Sequence, residues 1–380
     1  MSYSRRYAYF ISPHGYGHAA RASAVMAAIL ELSPESEFDI FTLVPEWFFL
    51  DSVGGHLSYF PLLTDIGLAQ ETPLKADLKE TYDRLNRYLP FSPSKLEKLS
   101  NLLVKRKCSL VLCDIAPIGI PAARQAGIPS VLIENFTWDW IYEAYLRDES
   151  GLAKFIPYLK GTFDSADLHI QTEPICFPRP VNLRTSPVSR KPRKSPLEIR
   201  QSLQIPESGK MVLVTMGGLP MQYSFLSDLA VFDEIFFILP GGSEKGCFQG
   251  NLRLLPQRSG YYHPDLVQAS DVVIGKVGYS TLAEVYWAGV PFGYISRSDF
   301  RESETLVAFI KTHLNGYPIQ EKEFSSSAWV SHIPELLSLS RRKPRDPEGA
   351  REIAYYLTSL PDRPTYSGGA KNKINQVDVN

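Results

Sequence analysis

The sequence predicts an α/β protein of two doubly wound units, each a mostly parallel sheet covered by helices on both faces. Three observations carry this. Short apolar runs alternate with amphipathic stretches between Tyr7 and Ile133. The same alternation restarts at Met211. Between the two stands Arg190-Lys191-Pro192-Arg193-Lys194-Ser195-Pro196, charged and proline-rich, which reads as a solvated linker. A chain of 380 residues with 44% hydrophobic content also exceeds what one core usually supports.

The elements follow in order. Tyr7 to Ile11 is an aromatic and apolar run stopped by Ser12, Pro13 and Gly15, as expected of a buried strand. From His18 to Leu32 the residues Ala22, Val25, Met26, Ile29 and Leu30 recur at helical steps, and Pro34 ends the pattern. Phe38–Val44 is the second strand, Lys95–Lys107 a helix, Leu110 to Asp114 a strand, Ile118–Ala126 a helix and Ser130–Ile133 a strand. In the second unit, strands are expected at Met211–Thr215, Ile235–Leu239, Leu252–Leu255, Val272–Ile274 and Phe292–Ile295, with a helix at Thr281–Ala288. Glu348–Leu360 is a late helix. The expected division is 1–190, 191–345, a helical segment 346–362 packing back on the first domain, and a flexible tail 363–380.

Composition narrows the function. A formal charge of -1 offers no basic excess for nucleic acid. Cys108, Cys113, Cys176 and Cys247 contain no C-x-x-C pair, so a reducing cytoplasm is expected. The N-terminus lacks the pattern of a signal peptide, and no run reaches the length of a membrane span. No D-x-D pair occurs, so no aspartate-held metal is expected. Residues 45–50, Pro-Glu-Trp-Phe-Phe-Leu, read either as a buried strand-to-helix junction or as a peripheral contact with lipid.

Two glycine turns follow strands and open helices. The first, Gly15-Tyr16-Gly17-His18-Ala19-Ala20, permits a tight turn whose helix amides can meet an anion. Its G-x-G-x-x-A spacing alone also fits a dinucleotide-binding dehydrogenase. His14 and His18 set it apart, because a histidine at such a tip can take a proton from a hydroxyl near neutral pH. The other reading is that they cap the turn. Arg21, one turn further, either faces the cleft or pairs with a surface carboxylate.

The second turn is Gly275-Lys276-Val277-Gly278-Tyr279-Ser280-Thr281, with Glu284 following. Ser280 or Thr281 can cap the helix, its amides can hold a diphosphate, and Lys276 can add a point charge. Spacing makes Glu284 the glutamate of a capping box with Thr281; alternatively it accepts both hydroxyls of a ribose. Gly217 and Gly218, after the strand ending at Thr215, can approach a phosphate through bare backbone or form a simple loop.

With these turns placed, the chain resembles the GT-B glycosyltransferases, among them the group of the bacterial N-acetylglucosaminyltransferase of peptidoglycan synthesis. Gly15-Tyr16-Gly17-His18, Pro187-Val188 before Arg190, Gly278-x-x-Thr281-x-x-Glu284 and Gly289-Val290-Pro291 appear in that family's order. It is similar at further points to the glycosyltransferase-like N-terminal domain of L-arabinokinases: Thr64-Asp65-Ile66-Gly67, Cys113-Asp114-Ile115-Ala116-Pro117, residues 135–142 and residues 271–279. The following sugar-kinase domain has no room here, so kinase activity is not carried over.

The resemblance implies two Rossmann-like domains facing across a cleft, and transfer of a sugar from a nucleoside-diphosphate donor, by family UDP-linked. The transfer would be metal-independent and inverting, with no cofactor. Glu284 would hold the ribose; Gly278, Ser280, Thr281, Lys276, Arg190, Gly217 and Gly218 the nucleotide; Arg301 and Glu302 the donor sugar. His18, with His14, would be catalytic near a sugar or glycolipid acceptor, beside Gly15, Gly17, Arg21, Asp114, Asn135 and Asp139. Trp138 beside Asn135 and Asp139 suits a sugar ring, but core packing explains the tryptophans as well. Three rivals stay open: a non-catalytic sugar-nucleotide sensor or partner subunit, a GT-B sugar-nucleotide epimerase, and the dehydrogenase.

Overall fold

The computed structural model describes residues 5–72, 75–217, 223–297, 299–344 and 347–361. The first half runs β1 (Arg6–Ile11), α1 (Gly17–Leu32), β2 (Glu37–Thr42), α2 (Glu46–Ser52), β3 (Leu57–Pro61), a small pair β4 (Ala69–Thr72) and β5 (Lys75–Asp77), α3 (Leu78–Tyr88) and α4 (Pro93–Lys105). It continues with β6 (Leu110–Asp114), α5 (Gly119–Ala126), β7 (Ser130–Glu134), α6 (Trp138–Glu143), α7 (Ile156–Asp164), β8 (Leu168–Thr172) and β9 (Leu183–Thr185). The second half runs α8 (Pro196–Ser202), β10 (Lys210–Thr215), α9 (Leu226–Leu229), β11 (Ile235–Pro240), β12 (Cys247–Gln249), β13 (Leu252–Leu255), α10 (His263–Ala269), β14 (Val272–Lys276), α11 (Tyr279–Ala288) and β15 (Phe292–Ile295). It closes with α12 (Glu302–His313), β16 (Gly316–Pro318), α13 (Glu321–Ser325), α14 (Ile333–Ser338) and α15 (Gly349–Ser359).

Each half carries its own seven-stranded sheet, ordered β3-β2-β1-β6-β7-β8-β9 and β12-β13-β11-β10-β14-β15-β16. Every pairing in the first sheet is parallel, and in the second only β12 runs antiparallel. Helices cover both faces, which is why β1, β6 and β7 are apolar almost throughout rather than alternating. In both sheets strand order reverses beside the first strand of the unit, β1 or β10. A crevice opens at the carboxyl ends there, where doubly wound sheets bind ligands. The two glycine turns leave from those ends.

Helix α1 is buried on nearly every side, from His18 to Ile29, because the sheet, α11 and α15 all pack on it. Its run of alanines allows that close approach. Helix α15, the last described element, returns to the first half: Ala350, Ile353, Ala354 and Leu357 join one core cluster with Ala19, Ala22 and Val25.

The stretch 190–196 is not the solvated linker expected from its charge. Arg190 is stacked between the rings of Phe48 and Tyr262, each 5.0 Å away. Arg193 donates to the carbonyls of Asp51 and Ser52, while Asp265 accepts from the backbone of Arg193 and Lys194. Lys191 reaches Glu31 on α1 and Glu348 before α15. These cations lie against carbonyls and carboxylates of both halves, so the segment ties them together.

Candidate functional site

At the C-terminal corner, β14 lies so close to β10 that a Cβ on Gly275 would stand 2.1 Å from the Thr215 carbonyl oxygen. Only glycine fits there. Across the strand end, Gly217 adopts φ +74°, the left-handed region glycine enters without strain. Helix α11 then begins at Tyr279 with Gly278 as its N-cap and no side-chain cap. Its first amides are therefore open to an outside partner.

That start corrects the capping expectation. Ser280 and Thr281 lie inside the first turn and cap nothing, and Glu284 is too far along to be the third residue after the cap. Its carboxylate accepts instead from Arg190 Nε at 3.0 Å and Nη2 at 2.9 Å, and faces His263 Nδ1 at 2.5 Å. Burial works against the charge on Glu284, yet Arg190 and His263 together hold the carboxyl below its usual range. The group stays ionised on the wall of a cavity of about 490 Å³ between the halves. Tyr16 and Phe48 face it from one side, Gly217, Gln257, Tyr262 and Thr281 from the other.

The N-terminal corner is packed differently. His18 Nδ1 lies 2.9 Å from Asp114 Oδ1, at the end of β6. Arg21 donates to both oxygens of Asp114, at 2.8 and 2.6 Å, and to Asn135 Oδ1 at 2.8 Å, with the Tyr279 ring 4.7 Å from its guanidinium. Asp114 is fully buried, and although burial raises its pKa, Arg21 and then His18 hold it below its usual range. Arg21 thus pairs with a buried carboxylate rather than a surface one. Asp114 and Asn135 stand behind His18 and Arg21 and line neither of the two cavities between the halves.

A second cavity, of about 150 Å³, opens between the two corners. His14, Gly15, Gly17, His18 and Arg21 line it from the first half; Lys276, Gly278, Ser280, Thr281, Arg297 and Glu302 line it from the second. A Cβ on Gly17 would lie 3.7 Å from Ser280 Oγ, so the two turns face each other. Burial, then Arg297, brings Lys276 down to about 8. Burial, then the neighbouring His18, Arg297 and Lys276, bring His14 down to about 3, and its ring meets the edge of Trp138 at 5.1 Å. His14 is a neutral wall of this cavity with little basicity.

Two expected site residues lie elsewhere. Arg301 turns back to the first half, donating to the Trp140 carbonyl at 2.5 Å and Glu143 at 3.1 Å while covering the Trp140 ring. A cation at that point finds partners outside the cavity. Asp139, in the first turn of α6, is buried and lines neither cavity between the corners. Glu302 does line the smaller one and accepts from Asn135 Nδ2 at 2.8 Å, bridging the halves. Trp138 is core, its indole N–H donating to Asp65 Oδ2 at 3.2 Å. Gly218 lies outside the described residues, as does the stretch 363–380.

Arg297, His263, Tyr16 and Gln257 were not legible as site residues. His263 follows Gly260 and precedes Pro264 at the start of α10, a helix-start signal with no hint of Glu284 across the fold. Among the described residues no group of three or more His, Cys, Asp or Glu is placed to hold a metal ion, and no helix is long and apolar enough to cross a membrane.

No protein-family model matches the chain. It is 26% identical over 339 residues to the L-arabinokinase of Arabidopsis thaliana, a match covering 88% of this chain. The chain spans about a third of that protein's length, 32%. Among solved structures it resembles a UDP-glucosyltransferase from Polygonum tinctorium, with TM-score 0.59 and 14% identity, covering 94% of this chain and 98% of the other. Medicago truncatula UGT71G1, complexed with UDP-glucose, gives 0.57 at 12% identity, over 93% and 95% of the two chains. MurG of Acinetobacter baumannii gives 0.54 at 14% identity, over 93% and 100%. With the paired parallel sheets and the cleft between them, these likenesses establish the GT-B fold.

Proposed function

We propose that the chain binds a nucleoside-diphosphate sugar, UDP-linked, in the cleft and transfers the sugar to an acceptor hydroxyl with inversion. One observation carries this reading. An uncapped helix start and an ionised glutamate stand on one side of a cavity, and a histidine backed by a buried carboxylate stands on the other.

In this mechanism the nucleoside lies in the larger cavity with its ribose toward Glu284, whose oxygens keep lone pairs beyond those used by Arg190 and His263. The diphosphate sits at the start of α11, against the amides near Gly278, the hydroxyls of Ser280 and Thr281, and Lys276. Asp114 accepts a hydrogen bond from the Nδ1–H of His18, which holds the tautomer whose Nε2 is free to accept the acceptor's proton. The acceptor oxygen forms its bond to the anomeric carbon as the bond to the diphosphate breaks, and attack from the opposite face inverts that centre. The helix end and Lys276 stabilise the departing charge. A sugar or glycolipid acceptor would reach His18 through the smaller cavity.

The test combines a thermal-shift panel of UDP, GDP, dTDP and NAD with an assay for released nucleoside diphosphate. UDP at 100 times its Kd should stabilise the protein by about 2.7 kcal/mol. Turnover should require an acceptor, and His18→Ala should lower it about 10²- to 10⁴-fold while UDP still binds. Protection by NAD alone would favour the dehydrogenase, UDP release without acceptor the epimerase, and binding without turnover the sensor.

A further inference from the structure

The two cavities share Tyr16, Gly217, Ser280 and Thr281, so the start of α11 is their junction. On the nucleotide-sugar reading, which this inference rests on, the nucleoside lies on one side of the diphosphate and the transferred sugar on the other. Arg297, Phe300, Lys276 and Glu302 line only the smaller cavity, the sugar side. Arg297 comes from the loop after β15 and lies 3.9 Å over the Phe300 ring. Its Nε is buried and has no hydrogen-bond partner.

A buried Nε–H with nothing to donate to is costly unless a ligand completes it. Among the described residues the one carboxylate on this cavity's wall, Glu302, attracts Arg297 but leaves its Nε without a bond, and one of its oxygens accepts from Asn135. The helix start and Lys276 supply the diphosphate with its own donors. Burial lowers the pKa of Arg297 against partial relief from Glu302 and Tyr145, and burial followed by Arg297 lowers Lys276 beside it. A planar fork is matched best by a planar carboxylate, which accepts two parallel N–H bonds.

We infer that the transferred sugar carries a carboxylate read by Arg297, so that the donor is a nucleoside-diphosphate uronic acid. Phe300, beneath the guanidinium, fixes its plane, and Glu302 remains for a sugar hydroxyl.

Isothermal titration of the full chain with UDP, UDP-glucose, UDP-glucuronate and UDP-galacturonate tests this, using wild type, Arg297→Gln and Arg297→Lys. A uronate conjugate should bind about 10-fold or more tighter than UDP-glucose. Arg297→Gln should erase that preference and leave UDP itself within about twofold, while Arg297→Lys keeps part of the preference. Equal affinity of wild type for uronate and glucose conjugates overturns the inference while leaving the nucleotide-sugar reading standing. So does a Gln variant that weakens UDP as much as its conjugates, because Arg297 would then serve the diphosphate. If no UDP compound binds, both readings fall together.

Discussion

The two glycine corners share one local code, a buried strand, a glycine turn and a helix start, yet they come to opposite ends. At the N-terminal corner the carboxylate of Asp114 is sealed under His18 and Arg21, which bond to it inside the protein. At the C-terminal corner Glu284 is held by Arg190 and His263 at a cavity wall, above a helix start that, like that of α1, has no side-chain cap. Identical backbone logic therefore yields a rigid positioning network on one side and an open anion seat on the other. The difference lies in what stands behind each turn: Asp114 and Asn135 behind α1, Arg190 and His263 beside Glu284 on α11.

The sharpest way to break the comparison is to remove each carboxylate in turn. Asp114→Ala strands Arg21, whose side chain is 1% exposed, and should cost about 3–5 kcal/mol in urea unfolding. A loss below 1 kcal/mol would show that the N-terminal network is not the sealed unit described. Next comes the pH response of the packed corner. Asp65, buried beside Trp138, is raised by burial to about 7, against partial relief from Ser12 and Trp138. From about pH 4 upward the unfolded carboxyl ionises while the folded one keeps its proton. Stability therefore falls as pH rises toward 7, by something on the order of 4 kcal/mol at full ionisation. His14, held near 3, works in the opposite sense: below pH 6.5 the unfolded imidazole takes a proton the folded one refuses, so stability falls as pH drops. Urea midpoints across pH 4–8 should accordingly decline with rising pH in His14→Asn and climb between pH 4 and 6.5 in Asp65→Asn. Parallel profiles in the two variants would contradict the assignment.

Glu284→Ala should cost less than Asp114→Ala, about 1–3 kcal/mol, because water in the cavity can reach the freed Arg190. The same variant should lose UDP protection in a thermal melt. The smallest effect concerns the caps. Ser195 caps α8 in a full capping box, so Ser195→Ala should cost about 1 kcal/mol. Ser280→Ala at the uncapped α11 should stay within about 0.5 kcal/mol without ligand. Equal losses at the two serines would mean that Ser280 serves the fold rather than a ligand.

Much of this was legible in the chain. Strands such as β1 and β6 are apolar but for Arg6 and Asp114 at their ends, both glycine turns sit at the predicted strand ends, and their residues do converge on one cleft. Side-chain direction was less legible. Glu284 stood three residues after Thr281, which is capping-box spacing, but the helix starts three residues earlier than that reading requires, at Tyr279. Arg190 sat in a run of charge that reads as solvated, and only the fold shows Phe48 and Tyr262 on either side of it. Arg301 and Arg297 are four apart in one loop; sequence gives no means of telling which turns to Trp140 and which to the cavity. Asp139 met the same difficulty, because a carboxylate in a helix's first turn looks alike whether it faces a ligand or the core.

The account depends most on the seat at α11. Amide hydrogen exchange, followed by mass spectrometry with and without saturating UDP, measures it directly. Slowed exchange in 275–285 and 257–263, with little change in 12–20, is the expected result. Protection confined to 12–20, or none in 275–285 at saturation, would contradict it.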